Sequence, residues 1–404
     1  MQKKYWSMVL HFYQPPTQEQ EITKTVLESC YLPLLRTLSE KSGFGLTLSI
    51  SGSLILQLKQ LGADEFFDLV RKLIGEEKIE IVNSAMYHPL IPITPKPVVI
   101  RQIKKNSQTL KSLLGVEATN GFFPPELAVD NDSLDLINKF VAGAINSNYI
   151  LVDETALKTK FKIQDSIVKY GGKYLLRSNF LLINNRQVCE LIRAYPKRLF
   201  AETVVNLVQS SSDKAGLIVT ANDAELFGHH YSERLQVLAD LLDAREIKFI
   251  KATEAVTRFG NQATAVSDVK ASTWEICQGF SFWNKNALQK KYLQLLKTVY
   301  ELTSVGPDVA AEDFFDQGNS SCYLFWLSNW PWWQPGLVEE GATQLIKCVR
   351  SLPVSKEEKI KIEEMYYDFL KEMWQYHWSG MVEAKYKEYD EKLLVTKNKW
   401  QYQI

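Results

Sequence analysis

Cysteine is scarce and scattered. Five occur in 404 residues, at Cys30, Cys189, Cys277, Cys322 and Cys348, and no two stand in a CxxC spacing. That pattern excludes a disulfide scaffold and a zinc ribbon, and leads us to expect a reducing, cytoplasmic setting. Net charge is absent too: Lys plus Arg and Asp plus Glu number 47 each. A neutral balance gives no electrostatic reason to expect nucleic acid or an anionic membrane as partner. No apolar run reaches spanning length, and the N-terminal MQKKYWSMVLHFYQPP lacks a long apolar core and a small-residue cleavage site. It reads as a first β-strand, not a leader, so a soluble protein is expected. No GxGxxG follows a strand, and neither a P-loop nor GxSxG occurs, so nucleotide binding and Ser-triad hydrolysis have no support. No feature speaks to oligomeric state.

Aromatic residues are plentiful. They make up 12 % of the chain, with ten Trp, and the apolar share of 46 % is ample for a core. Up to about residue 255 short apolar runs (SMVLHF, FGLTLSIS, IEIVNS, YILVDE, GLIVTAN) alternate with periodic helical stretches. Repeated β-then-α order predicts a parallel sheet, open or closed as a barrel. Residues 155–196 fit that alternation poorly and read as a small β-rich insertion with a turn at Gly171–Gly172. Asn131 or Asp132 is expected to cap the helix after GFFPPELAV. From about residue 260 the character changes to long periodic helices. The chain therefore divides into an α/β unit, 1–260, and a helical bundle, 261–404, expected to complete a substrate cleft.

The polar residues of interest follow the strands: His11 and Gln14 after the first, His88 after IEIVNS, Glu126 after GFF, Asp223 and Glu225 after GLIVT. The C-terminal edge of a parallel sheet is where active sites assemble, so residues spread over the chain converge on one face. Glu126 lies behind two prolines and two aromatics, Phe122 and Phe123, on a stiff turn. Asp223 and Glu225, two apart on an extended strand end, are expected to point the same way. A facing pair of carboxylates is what glycoside hydrolysis requires. Aromatic rings suit sugar CH faces, and the prolines of NWPWWQP suggest a loop whose Trp330 or Trp332 lines a groove. The same groups allow a metal reading, in which His11, His88, His229, His230 and Asp223 hold a divalent ion as in a metal-dependent polysaccharide deacetylase or hydrolase. Adjacent His229 and His230 are not a usual ligand spacing. A non-catalytic glycan-binding protein is the third reading.

These stretches resemble, in order, the five motifs of glycoside hydrolase family 57. HFYQP matches the first, with Tyr13 where a second His is expected. IEIVNSAMYHP matches the second, with Glu80 and His88, and GFFPPELA the third, with Glu126. DAELFGHH matches the fourth, with His230 where an aromatic is common. SNWPWW matches the fifth, with Asn329 replacing Asp. The resemblance implies an incomplete seven-stranded parallel β/α barrel followed by a C-terminal helical bundle. It implies a retaining mechanism on α-1,4-glucans without metal or cofactor, by hydrolysis or glucanotransfer. Glu126 would be the nucleophile and Asp223 the general acid/base. His11, Gln14, Glu80, His88, Phe123, Glu225, His229, His230, Asn329, Trp330 and Trp332 would contact or tune the sugar site.

Overall fold

The computed structural model describes residues 3–141, 148–157, 165–171, 179–194, 198–275, 277–303, 308–329, 332–385 and 387–388. Ten strands are present among them: β1 Lys4–Phe12, β2 Leu46–Ile50, β3 Ile79–Val82, β4 Gly121–Phe122, β5 Tyr149–Asp153, β6 Ile167–Tyr170, β7 Asn179–Asn184, β8 Leu217–Asp223, β9 Ile247–Phe249 and β10 Thr264–Val266. Eight of them run parallel: β1, β2, β3, β4, β5, β7 and β8 form the barrel wall, and β9 adds to the edge of β1. A single parallel bridge, Asn83 with Phe122, joins β3 to β4. β7 meets β8 only near Asn184 and Val219. The result is the expected nearly closed β/α barrel.

Why these residues form a barrel is visible in their period-two sorting. In β1, Trp6, Met8, Leu10 and Phe12 pack outward with the helices; Val9 joins Val82, Leu151, Leu182, Val219 and Ala221 in the inner core. Such strands are buried on both faces, so they read as continuous apolar runs, not alternations. β9 and β2 share one edge of β1, pairing at Lys4–Trp6 and at Val9–Phe12 respectively. The other edge pairs with β8 from Tyr5↔Leu217 to His11↔Asp223.

Two expectations change here. The stretch 155–196 is not simply an insertion: β7 is a barrel strand and is followed by the helix Arg186–Ala194. Only β6 departs, running antiparallel to β7 and carrying β10 on its far side. One antiparallel strand beside a barrel strand reads, in sequence, like an isolated hairpin. Gly172 lies outside the described residues. The second change concerns the helix Asn131–Val141, which is capped by Asp130; its Oδ1 accepts from the Ser133 amide at 2.8 Å. Asn131 instead accepts from the Val269 amide at 2.8 Å.

The chain forms two compact units. One comprises residues 1–14, 18–86 and 90–279; the other comprises 15–17, 87–89 and 280–404. The first extends past residue 260 because β10 pairs with β6 and Ser272 bridges Val129. The second is helical, with helices Ala287–Thr303, Val309–Gly318, Ser321–Trp326, Pro335–Ser351 and Lys356–Trp378. Tyr292, Phe315, Tyr323, Leu345 and Phe369 are buried within it. Ser355 and Glu358 cap the last helix reciprocally, a pairing that satisfies two otherwise orphaned amides. Among the described residues no helix is long and apolar enough to cross a membrane.

Gly121, the first residue of β4, lies against the Tyr149 ring: a Cβ there would fall 2.2 Å from it. The Tyr149 hydroxyl is itself tied to Glu80 at 3.1 Å, so the ring cannot swing away freely. Gly121→Ala is expected to cost about 1–3 kcal/mol by overpacking. Urea unfolding of the variant against wild type measures this.

Candidate active site

The inner face of the barrel becomes polar at the C-terminal end of the strands. Along β1 the inward series is Ser7, Val9, His11; along β8 it is Leu217, Val219, Ala221, Asp223, and the β1–β8 register sets His11 beside Asp223. On the other side His11 pairs with Ser49 of β2, whose hydroxyl lies 3.2 Å from His11 Nδ1. His11 is buried, and that burial lowers its pKa to about 3. It is therefore a neutral imidazole at ordinary pH. Its ring stacks on Phe123 at 4.4 Å between centroids and lies nearly parallel to Tyr13 at 5.8 Å.

Glu126 sits just past β4, 6 % exposed. The segment Pro124–Leu127 makes one tight turn in which Glu126 has φ 61° and Leu127 φ 46°. Left-handed backbone at two consecutive residues other than glycine costs free energy and clusters at functional sites. The Trp274 indole donates to Glu126 Oε2 at 2.8 Å, and the Trp274 amide donates to the Glu126 carbonyl at 3.0 Å. Trp274 also stands edge-on to His11 and Phe123. No motif had drawn attention to it. Its only sequence signal was being a Trp in the polar stretch before the helical unit.

Asp223 and Glu225 part company. After Asp223 the backbone enters a single helical turn, Ala224–Leu226, from whose amides the Asp223 side chain accepts no capping hydrogen bond. Glu225 consequently points into protein. The Tyr31 hydroxyl donates to its Oε1, Gln14 Nε2 approaches at 3.4 Å and the Tyr13 amide at 3.4 Å. Burial, then the nearby Asp223 charge, pushes the Glu225 pKa up. Burial likewise raises Asp223, with Arg193 acting against it and Glu275 adding to it. Gly228, with φ +143°, brings this turn so close to Ser29 that a Cβ would lie 2.5 Å from the Ser29 carbonyl.

Other expected residues are placed differently. Glu80 is inward, but one pleat deeper than Val82, at the N-terminal end of β3. Its carboxylate accepts from Thr47 at 2.8 Å, Tyr149 at 3.1 Å, and the amide and hydroxyl of Thr253 at 3.0 and 2.5 Å. Those donors make it a plug of the barrel floor, not a sugar contact. His229 and His230 are exposed, and His229 Nδ1 is 3.3 Å from the Ser29 hydroxyl. They follow a turn that carries them outward, so they do not shape a buried pocket. His88, in the helical unit, has φ 59° and its Nδ1 lies 3.0 Å from the Ser321 hydroxyl. Among the described residues no three His, Cys, Asp or Glu side chains are spaced to hold a metal ion. In the helical unit Asn329 has φ 63°, and its buried Oδ1 has no partner among the described residues. Trp332 is 49 % exposed and lies over Phe325. Trp330 lies outside the described residues.

The family model of Glycosyl hydrolase family 57 matches residues 3–269, more than half of the chain. The chain belongs to that family. An α-amylase of Pyrococcus furiosus is 32 % identical to this family 57 chain over 122 residues, 29 % of the chain and 19 % of the relative. Alpha-amylase 1 of Dictyoglomus thermophilum is 24 % identical over 226 residues, 55 % of the chain and 32 % of the relative. The matches thus span a third or less of these curated relatives. Among solved structures, 4-alpha-glucanotransferase from Thermococcus litoralis superposes with a TM-score of 0.72 at 15 % identity, covering 88 % of this chain and 61 % of that one. The GH57-type branching enzyme from Pyrococcus horikoshii gives 0.66 at 15 % identity, covering 91 % and 95 %. At such identities the likeness speaks for the fold alone.

Because Glu225 titrates above the ordinary carboxyl range when folded, it contributes stability at low pH that is lost as pH rises through its folded pKa. Glu225→Gln removes that ionisation. The variant is expected to lose less thermal stability than wild type between pH 5 and pH 9, measured by Tm at both.

Proposed function

We propose that this chain is a retaining α-glycosidase acting on α-1,4-glucans, by hydrolysis or by transfer to an acceptor sugar. The observation that carries this reading is the unequal treatment of two carboxyl groups at the barrel mouth. Glu126 accepts a hydrogen bond from an indole, which favours its ionised form. Asp223 is pushed toward its protonated form by burial. A pair whose environments drive their protonation apart is the pattern of a nucleophile and a general acid. Membership of family 57, and relatives named α-amylase and 4-alpha-glucanotransferase, support the substrate class.

In the first step Glu126 attacks the anomeric carbon while Asp223 gives its proton to the leaving glycosidic oxygen. The product is a glycosyl ester on Glu126. In the second step Asp223, now a carboxylate, takes a proton from water or from an acceptor hydroxyl, which attacks the same carbon and releases Glu126. Retention follows from two displacements on one centre. The half-buried rings of Tyr13 and Trp274 offer faces to sugar CH groups, whereas Phe123 is buried behind His11. In the helical unit, the exposed ring of Trp332 is the group suited to a sugar face.

Glu126→Gln is expected to abolish turnover of maltoheptaose with little change in Tm. In Glu126→Ala, added azide is expected to restore release of a glycosyl azide of inverted configuration, read by NMR. Survival of activity in Glu126→Gln, or activity lost to a chelator and restored by zinc, would overturn the reading. Asp223→Asn removes the proton donor and is expected to flatten the alkaline limb of kcat/KM. That limb should lie above the ordinary aspartate range in wild type, since the folded pKa is raised.

A further inference from the structure

Three backbone positions, Thr273, Trp274 and Glu275, are held with unusual completeness. Arg186 Nη2 donates to the Thr273 carbonyl at 2.7 Å and to the Glu275 carbonyl at 2.9 Å, bracketing Trp274 on both sides. The same guanidinium is fixed by Asp153 at the end of β5: Nε lies 2.8 and 3.0 Å from its two carboxylate oxygens. Asp153 is fully buried, accepts from Thr155, and lies 3.3 Å from Asn184 Nδ2 at the end of β7. The segment is also tied upstream, where Ser272 bridges Val129 and the Lys270 amide donates to the Ala156 carbonyl. A planar guanidinium with donors in a rigid fork suits a carboxylate and two carbonyls at once; an ammonium does not.

The pinned segment addresses Glu126, to which Trp274 donates through its ring and its backbone.

We infer that residues 273–275, anchored on Asp153 of barrel strand β5 through Arg186, form a positioning segment for the proposed nucleophile, in which Trp274 orients Glu126. This inference rests on the proposed role of Glu126. A charge-assisted hydrogen bond is worth enough to move a carboxyl midpoint by about one pH unit. Trp274 is then a residue for aligning and ionising the nucleophile, and Arg186 acts at one remove.

The test is carboxyl 13C NMR titration of the full chain, with the Glu126 resonance assigned by its loss in Glu126→Gln. Trp274→Phe keeps an aromatic ring and removes the donor; the Glu126 midpoint is expected to rise by about one pH unit. Arg186→Lys leaves the indole in place and is expected to shift Glu126 in the same direction as Trp274→Phe, with no further shift in the double variant. It also serves if Trp274→Phe does not fold. Unchanged midpoints in variants with wild-type near-UV circular dichroism overturn the inference. The readout does not need turnover. If wild type cleaves no α-glucan yet the midpoints move, the proposed function falls and the positioning segment stands. If wild type is active and the midpoints stay, the inference falls alone.

Discussion

The parallel register of β1 against β8 is the constraint on which the rest depends. It puts His11 level with Asp223, both inward, at the last turn of the barrel wall. A slip of one residue on either strand would send one of them out among the helices and bring an apolar side chain in. The register is protected by what lies below. Val9, Val219 and Ala221 belong to one inner core, and Trp6 Nε1 donates to Thr220 at 2.8 Å on the outer side. The apolar lower barrel thus specifies where the polar upper rim must be.

Above that rim, function and stability pull in different directions. Glu126 and Leu127 hold left-handed backbone, Glu225 is buried against three donors, and Asp153 is buried on a guanidinium. Breaking any one of these pairs would leave an uncompensated polar group in a dry site, which costs more than the pair contributes while intact. The rim is therefore stiff around Glu126 and Glu225. Stiffness of this kind allows a site to act on developing charge without reorganising.

Much of this was legible in the strands. SMVLHF, IEIVNS and GLIVTAN read as strands because both their faces are buried, and their polar sequels mark the C-terminal edge. Glu126 and Asp223 lie at those edges, as their places after GFF and GLIVT imply. The place of Glu80 was not legible there: inward direction follows from strand parity, but depth follows from where the strand begins, and β3 begins at Ile79. The outward course of His229 and His230 follows from the turn at Ala224–Leu226, which an extended reading of DAELFGHH does not contain. Tyr31, Arg186 and Trp274 had no local signature, since each earns its place through a partner more than 30 positions away.

By itself, the sequence determined the α/β alternation, a parallel sheet whose closure into a barrel only the family resemblance implied, the change to helices in the C-terminal part and the two carboxylates at strand ends. It could do so because those features follow from local periodicity and from the rule that parallel strands present their C-terminal ends on one side. Tertiary structure alone decided which polar residues face each other. It bound Trp274 to Glu126, sealed Glu225 behind Tyr31 and turned Glu80 into part of the barrel floor. Such pairings depend on register and depth across strands distant in sequence, and no local pattern carries that information.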